Sequence, residues 1–223
     1  MSNFRKFKIL IKSILGKPIS IRELTYSYIK DDYNIIDAGA HVGFDSVELS
    51  KHTRGIVHAF EPVNSIYTQL IQNTKAYNNI ATYKLAISNV SEDTIINVST
   101  GASDASSSLL KPKEHINTNP DVVFLTQETV KSTTFDKWME EYNIAKIDFL
   151  WLDLQGMEYE VLKASPNLLS MVKVIYTEVS TIELYEGQAM YLTLRDWLIE
   201  NGFVLRKEDL SAGFSGDALF VKK

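Results

Sequence analysis

From Asn34 onward, short apolar runs alternate with stretches of helical spacing, and this alternation constrains the fold more than any other feature of the chain. The strand-like runs are Asn34–Ala38, Ile56–Phe60, Ala81–Ile87, Ile147–Leu154, Val172–Val179, Phe203–Arg206 and Ala218–Lys222. Helical patterns fall at Phe44–His52, Val63–Tyr77, Phe135–Tyr142, Glu158–Ala164 (stopped before Pro166) and Tyr191–Glu200. Strands separated by helices pair in parallel, because the crossover returns the chain to the same end of the sheet. The pattern predicts one α/β domain around a seven-stranded, mostly parallel sheet with helices on both faces. The last two runs are joined through a Gly-containing segment without a helix, so one of them is expected to run antiparallel.

Size and charge agree with one domain. The chain has 223 residues, 45% hydrophobic and 23% charged, enough to bury a substantial core. Residues 1–17 carry Arg5, Lys6, Lys8, Lys12 and Lys17 without an acid, whereas the rest is acidic, with net charge −5 overall. Phe4, Phe7, Ile11 and Ile14 recur at helical spacing, so residues 1–18 read as a basic amphipathic arm ahead of a domain over 19–223. Such an arm packs on its own acidic domain or makes weak contact with an anionic membrane surface. Residues 88–134 break the strand–helix rhythm with a Ser/Thr/Asn-rich insertion that has short β-like pieces at Thr94–Val98 and Val122–Thr126. The absence of cysteine excludes disulfides, Cys-ligated metals and thiol catalysis. No apolar run reaches membrane-spanning length and Lys8 and Lys12 interrupt the start, so a cytoplasmic setting is expected.

The first strand ends in Asp37-Ala-Gly39-Ala40-His41-Val-Gly43, a turn that opens a helix. Glycines there permit a tight turn and close approach of a ligand to the backbone, and the helix start offers free N–H groups. Glu61 ends the second strand, where an acid commonly accepts hydrogen bonds from a ribose diol. The bland alternative is a structural turn followed by a solvated glutamate. The turn lacks the G-x-G-x-x-G pattern of dinucleotide folds, and no phosphate loop of the G-x-x-x-x-G-K-[ST] type is present. Acids at both places suit S-adenosyl-L-methionine, which carries an ammonium, a sulfonium and a ribose, better than NAD.

IIDAGAHVG, FEPVNSIYTQLIQN, TTFDKWMEEYNIAKIDFLWLDLQGMEYEVLKAS, VIYTEVS and the closing NGF and GDALFVKK together resemble an FkbM-family methyltransferase from about Tyr33 to Lys223. The resemblance implies a Rossmann-like class I fold using S-adenosyl-L-methionine, with a hydroxyl of a sugar, glycan or related small metabolite as acceptor. It places Asp37, Gly39 and Gly43, with Ala40 and His41 of the same turn, beside the methionine part and Glu61 on the ribose. His41 stands where an Asn is usual, and both residues tolerate positive φ. Trp151 replaces a common Lys and bears on substrate class more than on fold.

Methyl transfer to a hydroxyl requires positioning and a proton acceptor. Asp153, at the end of the fourth strand, is the first candidate for catalysis or for orienting the acceptor or cofactor. Glu178, ending the fifth, and Glu158, in DLQGME, are the next candidates. A first-turn helix acid and a loop-capping carboxylate are their structural alternatives. No metal site is expected, since His41, His52, His58 and His115 lack ligand spacing. His52 and His58 read as structural, and His115 lies where it could reach a substrate. The Ser106–Ser108 run has no nucleophile elbow around it, and Trp138 reads as a core residue at a helix start. Two other functions share this fold. A binding module without turnover would retain the pocket but lose the acids. An RNA ribose methyltransferase would need a basic face and cleft lysines, which disfavours nucleic acid as a partner here.

Overall fold

Short strands that are apolar on both faces have to lie between two helical layers. The structure, a computed structural model, describes residues 11–12, 14–211 and 213–223. Helix α1 (Ile21–Tyr28) starts at a capping box in which Ser20 and Glu23 each satisfy the other's backbone N–H. Strand β1 (Ile35–Ala38), helix α2 (Phe44–Ser50), strand β2 (Val57–Phe60), helix α3 (Asn64–Thr74) and strand β3 (Ile80–Tyr83) follow. Next come the insertion strands β4 (Ala86–Ile87), β5 (Asp93–Gly101) and β6 (Val122–Thr133), with helix α4 (His115–Thr118) before β6. The chain then runs through helix α5 (Phe135–Glu141), strand β7 (Phe149–Leu152), helices α6 (Glu158–Lys163) and α7 (Pro166–Met171), and strand β8 (Val174–Ser180). Helix α8 (Tyr191–Glu200) and strands β9 (Phe203–Asp209) and β10 (Ser215–Lys222) complete it.

The seven-stranded sheet has the order β3-β2-β1-β7-β8-β10-β9. β10 runs antiparallel to both neighbours, and the other strands are parallel to one another. Strand order reverses between β1 and β7, which opens a crevice at their C-terminal ends. One face of the sheet buries Leu150, Leu152, Trp138, Leu162 and Phe203, and the other buries Ile35, Trp151 and Tyr176 under Ile21 of α1.

The structure corrects one expected strand and adds detail at two other places. The run Ala81–Ile87 is not one strand: β3 ends at Tyr83, whose carbonyl accepts from Glu61 N, and Ala86–Ile87 leaves to pair with β6. Pro166 begins α7, where its missing N–H costs nothing, and the carboxylate of Asp136 accepts from the free amides of Asn167 and Leu168. The insertion is a well-formed hairpin of β5 and β6 in a second sheet of order β4-β6-β5.

The expected arm helix falls largely on residues 1–10 and 13, outside the described residues. Of the others, Lys12 pairs with Glu23 of α1, and Ile14 and Leu15 are exposed. Among the described residues, no helix is long and apolar enough to cross a membrane.

Candidate active site

The turn after β1 is pressed against the end of β7. Asp153 N donates to Ala38 O at 2.9 Å, and Gly39 adopts φ +85°. A Cβ on Gly39 would lie 1.8 Å from the carbonyl oxygen of Asp153, so only glycine fits. His41 takes φ +48°, as its tolerance of that region predicts, and its Nε2 is 2.9 Å from Asp104 of the insertion. Gly39 and His41 line a cleft with Glu61 and Asp153.

Asp37, Ala40 and Gly43 support the turn from behind and do not line the cleft. Asp37 is buried below it and accepts from the Ser46 hydroxyl. Burial pushes its carboxyl up to about 7, against the lowering effect of Ser46. Ala40 N donates to Phe60 O, and Gly43 begins α2 at φ +92°.

Glu61 leaves β2 buried, with Oε1 accepting the amide of Val63 at 2.8 Å. Burial raises its carboxyl to about 7, and the amides of Val63 and His41 oppose that shift. Beside it the cleft, about 590 Å³ including its mouth, has apolar walls of Phe60, Leu85, Ile87 and Leu109.

At the other end, Asp153 and Glu178 meet from the ends of the adjacent strands β7 and β8. Gln155 Nε2 donates to Asp153 Oδ1 at 2.6 Å and to Glu178 Oε2 at 2.7 Å. The shared Gln155 amide sets the two carboxyls side by side. Burial raises both, and the charge of Asp153 holds Glu178 well above the usual carboxylate range. Like charges this close favour one proton held between them.

Glu158 lies beside this pair, with its oxygens taken up by the backbone of the turn. Its oxygens accept the amides of Leu154 at 2.7 Å and Gly156 at 3.1 Å, which organises the turn where Gln155 has φ +50° and Gly156 φ +104°. Burial raises it to about 7 as well.

The remaining candidates divide clearly. His58 is buried on Trp138 with Nδ1 3.0 Å from the Tyr83 hydroxyl, and burial pushes it down to about 4. His115 is buried against Phe124 and Tyr185 and does not line the cleft. Ser107 does line it, while Ser108 donates to Gln155 O at 2.7 Å. Trp151 lies behind the sheet, stacked on Tyr176 at 3.8 Å with Arg22 4.7 Å above its ring. It has no wall in the cleft. Tyr185, whose hydroxyl reaches Gln155 Oε1 at 2.7 Å, carries no pattern in the sequence that marks it.

The donor set fits S-adenosyl-L-methionine. A buried carboxyl beside apolar walls matches a ribose next to an adenine, and Asp153 sets a second carboxyl toward the sulfonium and ammonium end. Gly39, His41, Glu61 and Asp153 line the cleft and would hold it.

Residues 37–205 match the family model described as the Methyltransferase FkbM domain. The chain is 28% identical over 204 residues to the 2-O-methyltransferase NoeI of Sinorhizobium fredii, covering 89% of this chain and 83% of that protein. Among solved structures it is similar to an rRNA methylase from Streptococcus thermophilus, at TM-score 0.52 and 12% identity over 90% of this chain and 92% of the other. It is also similar to the Methanococcus jannaschii fibrillarin pre-rRNA processing protein, at TM-score 0.53 and 15% identity over 87% of this chain and 68% of that one. At such identities these two structures speak for the Rossmann-like fold alone.

Proposed function

Since this chain belongs to the FkbM methyltransferase family and uses S-adenosyl-L-methionine as methyl donor, we propose that its acceptor is a hydroxyl of a sugar, glycan or related small metabolite. The observation that carries the reading is one cleft with Glu61 at one end and Asp153 at the other, where Gln155 links Asp153 to Glu178 behind the wall. The bound cofactor supplies a methyl activated by its sulfonium. Glu61 accepts the ribose hydroxyls, and the apolar walls take the adenine. The hydroxyl proton passes to the carboxyl pair, with Asp153 as the accepting group and Glu178 as its protonated neighbour. Glu158 acts by holding the turn. The name of the 28% identical relative, a 2-O-methyltransferase, supports oxygen as the methylated atom.

RNA as acceptor finds no support in the charge. Outside the first 17 residues, 28 acidic side chains face 18 basic ones. The arm, with five basic side chains over residues 1–17 and Ile14 and Leu15 exposed, supports weak contact with an anionic membrane surface from a cytoplasmic setting. The test is transfer of labelled methyl from S-adenosyl-L-methionine to a panel of free sugars, glycans and RNA. Label in the carbohydrate fraction, located on oxygen by mass spectrometry, is expected. Label in RNA alone, or cofactor binding without transfer to any acceptor, would overturn the reading.

A further inference from the structure

One side chain touches both members of the carboxyl pair. The amide nitrogen of Gln155 has two hydrogens, and it lies within 2.7 Å of both Asp153 Oδ1 and Glu178 Oε2, so each carboxyl takes one. The amide oxygen faces the opposite way and accepts from the Tyr185 hydroxyl at 2.7 Å. Tyr185 is 1% exposed and packed against His115, and its hydroxyl also lies 2.9 Å from Ser106 O, on the insertion segment that lines the cleft. The Gln155 backbone is held as well, because Ser108 donates to its carbonyl at 2.7 Å.

We propose that Gln155 and Tyr185 are positioning residues for methyl transfer. Tyr185 fixes the Gln155 amide, and the amide holds Asp153 and Glu178 in one geometry, with one net negative charge toward the acceptor. The proposal rests on the reading of that pair as the proton acceptor. Two carboxyls held side by side by one amide favour a single shared proton, and the two N–H donors stabilise the charge that remains. Without them the ionised form is less favourable, and the pair keeps its second proton to higher pH. The other titratable groups facing the pair are Asp37 from β1, His41 and Asp45 from the turn and α2, Glu158 from α6 and Asp217 from β10. None of them is altered in the test.

Gln155→Met keeps the side-chain length and the same positive-φ backbone while removing the amide. Tyr185→Phe removes only the hydroxyl. For Gln155→Met, kcat is expected to fall about tenfold, as for loss of a hydrogen bond to a charged group. The acidic limb of its pH profile should move up by about one unit, with cofactor affinity unchanged. Tyr185→Phe should shift the limb the same way by less. The double variant should equal Gln155→Met, because Tyr185 acts through Gln155. An unmoved acidic limb in both single variants, or additive losses in the double, overturns the proposal. If Gln155→Met fails to fold, Gln155→Asn replaces it, since Asn tolerates positive φ and falls one methylene short of the carboxyls. Asp153→Asn separates the two levels. Inactive Asp153→Asn with a normal Gln155→Met profile refutes this proposal alone, whereas wild-type turnover in Asp153→Asn removes the reading beneath it and this proposal too.

Discussion

Replacing Gly39 by Ala forces apart the two strands that frame the cleft. The added Cβ would stand 1.8 Å from Asp153 O, and real contacts of this kind do not fall below 3.0 Å, so the turn and β7 must separate by roughly 1.2 Å. Retreat is blocked on the other side, where Gly39 N and Ala40 N donate to Phe60 O at 3.2 and 2.9 Å. The left-handed backbone costs about 1–2 kcal/mol for a side chain, and forced overpacking adds about 1–3 kcal/mol. The sum is about 2–5 kcal/mol. Gly213 supplies the control, because it has φ +93° with nothing within 4 Å of an added Cβ. Gly213→Ala should lose only the backbone part, and the gain from a less flexible unfolded chain is common to both variants. Urea denaturation of the two variants isolates the steric part as the difference, about 1–3 kcal/mol. Folded Gly39→Ala should also have lost turnover, since Asp153 moves with its carbonyl. Equal stability loss at the two glycines would show that close packing of the turn on β7 is not what requires glycine.

Glu61→Gln should weaken cofactor binding more than tenfold by loss of charge-assisted hydrogen bonds, with the melting temperature near wild type. Calorimetry showing unchanged affinity would remove Glu61 from the ribose. Asp153→Asn should lower kcat by about 10²–10⁴-fold with a much smaller loss of cofactor affinity, and equal losses in both would leave it a cofactor ligand only. Asp37, Glu61 and Glu158 are each raised to about 7 by burial, so the folded protein binds more protons than the unfolded chain between their ordinary values and 7. Stability of the cofactor-free protein is therefore greatest on the acid side of that window and falls as pH rises through 7; a melting temperature that rises from pH 5 to 8 contradicts this. Among the described residues, no three His, Asp or Glu side chains are placed to hold a metal ion, so turnover should survive EDTA. Activity lost to the chelator and restored by a divalent ion would refute that.

What was legible in the sequence is what depends on near neighbours. Gly39, His41 and Glu61 sit at strand ends, and a strand end in a parallel sheet is placed at the crevice by topology. The position of Trp151 was available from the same logic. It alternates with Leu150 and Leu152, so it faces the other layer and cannot wall the cleft. The role of Glu158 needed the actual turn geometry, because an acid in a first helical turn can face either solvent or the amides before it. Tyr185 was hidden for a different reason. Its hydroxyl meets Gln155, 30 residues away, and Ser106, 79 away, from a loop without periodicity. A contact at that separation leaves no local trace.

The antiparallel strand also sets an order of assembly. β10 is translated after β9 yet lies between β8 and β9, so Phe203–Asp209 emerges from the ribosome with no strand to join. Until residues 215–222 follow, the nascent sheet can hold only β3, β2, β1, β7 and β8, with β8 as an open edge. A paused chain is therefore vulnerable to pairing with other chains at Val174–Ser180. Every strand that lends a residue to the cleft is already present by then. The chemistry is laid down first, and the late hairpin seals the edge beside it.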